Sequence, residues 1–448
     1  MKKAIVSTLL FINAVVCSQT NPIITSWLRN TTGITGRHYV SGNPTPITDA
    51  VLANVQTVQY SNNWVYVTTN GIPAYITGPF LDGNPSLATS RNGAIFRFPL
   101  NPTQNTGTPT NTNGGNIGLF KNGVALFDYR DGVSWKNSTG QVCGGPIMGC
   151  TGDGVWNRDA VYAERIGFDC AKAHPAMGNY HHHQNPSAFN LDLIQLSTIC
   201  DTYPSDGLYV INTNEHSPLI GFAYDGFPIY GAYGYANTDG TGGIVRMKSS
   251  YQLRNITVRT HYANGTNVTD GPPVNSTYPL GYFREDYEFV VHTAPDYLDE
   301  HNGRFCVTPE YPNGIYCYFT TVDANHNSAY PYAVGPTFYG NKTASTVASV
   351  SETTTQYTLE NADFNLSNLK IKVYPNPAQE FIAIQTDIQE KDLNVIVIDE
   401  LGKQIQSQKI FQGSTLGIID LSTVYNGVYF IKITDDKNDR TFKIIVSK

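Results

Sequence analysis

From residue 207 to residue 340, short aromatic segments alternate with turns built from Gly, Pro and Asn. Turn residues at that spacing disfavour long helices and leave room for strands. Composition supports the same reading. Charged residues are 15% of the chain, against about 25% in ordinary soluble domains. Tyr, Gly, Asn and Thr take their place, a mixture suited to strands and turns. The expectation is a mainly β chain with antiparallel sheets and few short helices. Residues 54–69 read as a hairpin: VQTVQY, a turn at Asn62–Asn63, then WVYVTT. Asn70–Gly71 and Asn122–Gly123 are turn signals of the kind that needs positive φ. Residues 101–116 lack periodicity and read as an exposed loop. Helices are expected at 156–166, where Ala160, Val161 and Glu164 are among the formers, and at 191–196.

The 448 residues suggest two or three domains. Residues 1–18 read as a secretory signal: Lys2 and Lys3, an apolar run too short to span a bilayer, then a cut before Gln19. The bulky Val16 before Cys17 argues against a lipoprotein signal. Residues 19–341 form the large β-rich domain, with its core at about 50–340. Residues 342–368, rich in Ser, Thr and Val, read as a flexible linker. Residues 369–448 alternate cleanly over about seven short strands and read as a small immunoglobulin-like β-sandwich without His or Cys. No later stretch is long and apolar enough for a transmembrane helix. The net charge of −7 and the lack of a basic patch argue against nucleic acid as a partner. Six cysteines remain after Cys17, an even count that in an exported chain reads as disulfides. Proximity suggests Cys143–Cys150, Cys170–Cys200 and Cys306–Cys317.

Residues 169–186 hold His174, His181, His182 and His183, four of the ten His in the chain. If 179–184 is extended, His181 and His183 share one face, with Tyr180 and His182 on the other. Two imidazoles so placed can bind one cation. The loop 175–179 could fold His174 back as a third ligand, while a fourth is not evident. The plainer alternative is a set of hydrogen-bonded or exposed His without a metal.

The sequence GNYHHH, preceded by DCAKAHP and followed by HSPLIGFAYDGFPIYGAYGY, LDEHNGRF, GIYCYFTT and YPYAVGPTFYG, resembles the YHYH-domain family. That family is named for Tyr-His-Tyr-His and has no settled activity. Tyr180, His181 and His183 fall on the motif, and His182 stands where its second Tyr would be. The resemblance makes Asp225 a candidate partner for a ligand His, although Asp225–Gly226 alone reads as a hairpin turn. Glu300 and His216 are further candidate ligands, His292 a weaker one. VYPNPA, DLS and NGVYFIKI, within 369–448, resemble the type A sorting domain of the type IX secretion system. This resemblance implies handling by that machinery, a Bacteroidota-type source, and a protein released or held at the outer-membrane surface.

Two functions follow. One is a secreted metalloprotein holding copper or zinc through His174, His181 and His183. The other is a surface binding or adhesion module with a structural His cluster. No nucleophile elbow, phosphate loop or zincin motif is present in the sequence, so no reaction or substrate can be assigned from it.

Overall fold

The hairpin at 54–69 forms from the strands Val55–Tyr60 and Trp64–Thr69, paired Val58 to Val67 and Tyr60 to Val65. The computed structural model describes residues 21–80, 93–176, 178–187, 212–358, 371–387, 391–400, 402–435 and 439–448. The chain is mainly β, with short helices only. The expected signal segment and the expected helix at 191–196 lie outside the described residues.

Period-two alternation explains the hairpin's sheet. In Ala94–Pro99, Phe96 and Phe98 point into the core, while Arg97 lies 4.2 Å over the Trp64 ring. Each buried Phe or Val contributes roughly 1.5–3 kcal/mol by leaving water. The segment expected as a linker from Lys342 instead completes this sheet. Ser345–Val347 pairs with residues 95–97, and Thr355–Gln356 pairs with residues 59–60. Tyr66 donates to Glu352 at 2.5 Å, and Arg29 donates to the carbonyl of Tyr357. Local composition could not reveal these pairings, because their partners lie roughly 250 to 300 residues earlier in the chain.

A second sheet carries the site. Its eight strands run, in spatial order, His174–Ala176, Asn179–His182, Ala125–Phe127, Asn116–Phe120, Leu219–Ala223, Pro228–Tyr230, Ile315–Phe319 and Gly303–Cys306. Two parallel joints interrupt an otherwise antiparallel sheet: His181 faces Ala125, and Ile229 faces Tyr318. The sheet's buried residues, among them Leu119, Phe222 and Phe319, share one core with Phe96 and Phe98.

The helix expected at 156–166 is shorter. Asn157–Asp159 pairs with the strand Arg130–Lys136, and the helix is Ala160–Glu164, followed by a 3-10 turn to Gly167. Asp159 caps it, accepting from the Tyr162 N–H at 3.2 Å and from the Tyr332 hydroxyl at 2.8 Å.

Cys143–Cys150 is a disulfide. Cys170 is also disulfide-bonded; Cys200, its expected partner, lies outside the described residues. Cys306 and Cys317 are buried free thiols, contrary to the expected third bond. Their strands are adjacent, but Cys306 stands opposite Ile315 and Cys317 opposite Arg304. They are diagonal neighbours whose thiols lie in hydrogen-bond contact without an S–S bond between them.

The chain divides into two compact units at Tyr357–Thr358. The C-terminal unit has seven strands among its described residues, in a three-stranded and a four-stranded sheet. Ile382, Ile384, Val395, Val397, Ile431 and Ile433 alternate inward from both sheets to form its core. It is the β-sandwich its alternation implies.

Candidate metal centre

The site begins with a hairpin. Gly178, with φ +79°, supplies the left-handed turn conformation that other residues rarely take. The turn sets His174 directly opposite His181 and Pro175 opposite Tyr180. Directly opposed residues project to the same face, so His174 joins His181 and His183. Nitrogen atoms of these three buried rings lie within 4.8 Å of one another. Phe127 stacks on His181 at 3.8 Å, and Phe168 packs edge-on to His174 at 5.0 Å.

Glu164, the last residue of the short helix, reaches into this group. Its Oε2 is 3.2 Å from Nε2 of His174 and 3.1 Å from Nε2 of His183. In the sequence Glu164 is a helix former, and no fourth ligand is evident there. Its role depends on where the Asp159 cap aims the helix, and no local pattern reveals that.

Hydrogen bonds to carbonyls define the ring tautomers. Nδ1 of His181 lies 2.8 Å from the Asn179 carbonyl, and Nδ1 of His183 lies 2.6 Å from the Asp128 carbonyl. A carbonyl only accepts, so both rings carry their proton on Nδ1 and a lone pair on Nε2. Those two Nε2 atoms are 3.0 Å apart. Two lone pairs and a carboxylate oxygen thus converge, an arrangement able to hold a metal ion. Burial, then the neighbouring His183 and His174, push the His181 pKa well below its ordinary value, which disfavours a proton there. Burial pushes Glu164 up, but the neighbouring His174 and His183 outweigh it and hold the carboxyl below its usual range, hence charged.

The opposite face of the strand holds a separate network. Nδ1 of His182 donates to the Lys172 carbonyl, and its Nε2 lies 3.2 Å from the Tyr75 hydroxyl. Tyr180 donates to Asp169 at 2.8 Å, and Asp169 also accepts the N–H groups of Gly78, Ala171 and Ala173. This ties the motif's Tyr to the Asp of DCAKAHP and fixes the hairpin.

The other candidates have other surroundings. Asp225 sits in the Asp–Gly turn, with Gly226 at φ +90°. It accepts from the Phe227 and Gly340 N–H groups and the Tyr318 hydroxyl. The first is a turn contact and the other two tie the turn to distant parts of the chain; among the described residues none of its partners is a His. Glu300 is largely exposed, 3.9 Å from His301. His216 packs against Tyr230 and Tyr235, and its Nδ1 donates to the Ser217 carbonyl. His292 stacks on Tyr297. None of the four joins the cluster.

Fold and site together define a mainly β protein with a buried imidazole–carboxylate cluster and a separate C-terminal sandwich. The chain belongs to the YHYH protein family, which it matches over residues 95–331. Residues 372–447 match the secretion system C-terminal sorting domain. That tail marks the protein for export by the type IX system, to the cell surface or the medium. No helix among the described residues is long and apolar enough to cross a membrane. A search of curated proteins finds no match. Among solved structures, a DUF3244-family protein from Bacteroides vulgatus with an immunoglobulin-like β-sandwich fold is 15% identical. The match covers 18% of this chain and 87% of that one, at a TM-score of 0.17. Dimeric latent PorU from Porphyromonas gingivalis is 21% identical over 17% of this chain and 9% of its own, at a TM-score of 0.14.

Proposed function

We propose that this exported YHYH-family protein binds one transition-metal ion, copper or zinc, through His174, His181, His183 and Glu164. The observation that carries this reading is the 3.0 Å approach of the His181 and His183 Nε2 atoms, each with its Nδ1 already committed to a carbonyl. A tetrahedral ion about 2.0–2.1 Å from its ligands holds them roughly 3.3 Å apart. Three separations, His181 to His183 and Glu164 to His174 and to His183, are 3.0–3.2 Å and close to that spacing, and the three imidazoles lie within 4.8 Å of one another. The ligand chemistry also fits: imidazole suits zinc and copper, whereas calcium prefers oxygen alone. Asn179 and Asp128 orient the rings through their carbonyls. Four protein ligands close a tetrahedral site, so the ion's primary role is to hold the hairpin to the short helix.

Elemental analysis after reconstitution with copper or zinc tests this. The wild type should retain one ion per chain. His181→Ala, His183→Ala and Glu164→Gln should lose most of it. His182→Ala, which removes a packed ring from the opposite face, should keep it. Equal metal content in all four variants, or none in the wild type, would rule the site out.

A further inference from the structure

A cavity of about 520 Å³ lies in the same unit as the His cluster, bounded by residues that the metal centre does not use. Its size is that of a small-molecule site. Aromatic rings form one part of its wall. Tyr287 and Tyr330 stack at 4.1 Å with planes 8° apart, and Tyr251 packs against Tyr330 at 5.4 Å and Phe289 at 5.5 Å. These rings hold one another in place, so flat apolar faces are presented with little side-chain entropy left to lose.

The polar part of the wall holds two arginines and two glutamates. Arg130 and Arg284 both line the cavity. Arg130 donates from Nε to Asp128 and from Nη2 to the Thr112 carbonyl. Arg284 has Nε 3.1 Å from Glu285, and its guanidinium lies 5.9 Å from the centre of the Tyr129 ring. A guanidinium has five N–H donors. Among the described residues, the Nη groups of Arg284 make no hydrogen bond to the protein. The carboxylates nearby are already engaged. Glu285 accepts from both the backbone and side chain of Asn157, at 2.7 and 2.9 Å, and Glu288 accepts from Gln252 at 3.0 Å. The Nη donors of Arg284 are therefore the donors the cleft has to spare, beside glutamates already held by Asn157 and Gln252. Its occupant should be rich in acceptors, carry a carboxylate that matches the guanidinium fork, and have apolar faces to lay on Tyr rings.

We infer that this cleft binds an oligosaccharide containing uronic acid units. A pyranose ring offers C–H faces to the tyrosines, hydroxyls to Asn111 and Asn157, and a carboxylate to Arg284. The site is independent of the metal centre, and each stands without the other. The residues that join them, 128–130, contribute a main-chain carbonyl to His183 and the Arg130 side chain to the cleft.

Isothermal titration of the full chain with trigalacturonate, a mannuronate trimer and neutral xylotriose tests the assignment. At least one uronate trimer should bind, with xylotriose weaker by about tenfold or more, the effect of losing a charge-assisted pair. Arg284→Gln and Tyr287→Ala should each weaken uronate binding by a similar factor. Ala263→Trp alters an exposed residue of the cleft whose side chain makes no hydrogen bond, and it should block binding without changing the melting temperature. No binding of either uronate, equal binding of xylotriose, or undiminished binding by Ala263→Trp would each overturn the proposal.

Discussion

His181 and His182 are neighbours in sequence and belong to different networks, one facing Glu164 and its imidazoles, the other facing Tyr75. Buried charge at such positions has consequences for stability. Burial raises the carboxyls of Asp159 and Glu285 to about 7, and those of Asp131, Asp169 and Asp225 to about 6. In each the protonated form suits the native state better than the unfolded one, where such groups titrate near pH 4. The stability they add is complete below about pH 4 and lost as pH rises through 6 to 7. His181 and His182 act in the opposite sense. Burial lowers both, His182 to about 3, so their stability is present above about pH 6.5 and lost as pH falls. Between pH 4 and 7 five raised carboxyls outweigh two lowered imidazoles, so the metal-free protein should melt several degrees higher at pH 5 than at pH 8. Calorimetry across that range checks this, and a maximum at pH 8 would contradict it. The His pair was legible in the sequence because strand periodicity alone places His181 and His183 together. Glu164 was not, because its contact with them depends on tertiary packing 10 to 19 residues away along the chain.

At the scale of elements, the hairpin of His174–Ala176 and Asn179–His182 delivers two of the three imidazoles in one cross-strand pair. Gly178 at φ +79° makes that turn possible. Gly178→Ala should cost about 1 kcal/mol or more in denaturant melts, the penalty of a Cβ at positive φ. It should also weaken metal retention, since His174 loses its register opposite His181. Unchanged stability and unchanged metal content together would show that the turn does not set the site. The alternation that made the hairpin at 54–69 and the C-terminal sandwich readable is local. The strands at Ser345–Val347 and Thr355–Gln356 were read as linker because short polar segments gain their order only from distant partners. The Cys306–Cys317 expectation holds in part: the two thiols meet on neighbouring strands, but both are free.

The whole molecule consists of an N-terminal unit that holds the cluster and a C-terminal sandwich that marks the chain for export. Only the first contains His, so an ion held by imidazoles should stabilise one unit and leave the other unaffected. Binding to the native state alone adds about 4 kcal/mol when free metal is a thousandfold above its dissociation constant. The most direct measurement is differential scanning calorimetry of the full chain with a chelator, then with zinc or copper. Binding through His174, His181, His183 and Glu164 predicts that the transition of the N-terminal unit moves up by several degrees with metal while the sandwich transition stays in place, and that Glu164→Gln abolishes the shift. Identical melting of the wild type with chelator and with either metal would contradict it.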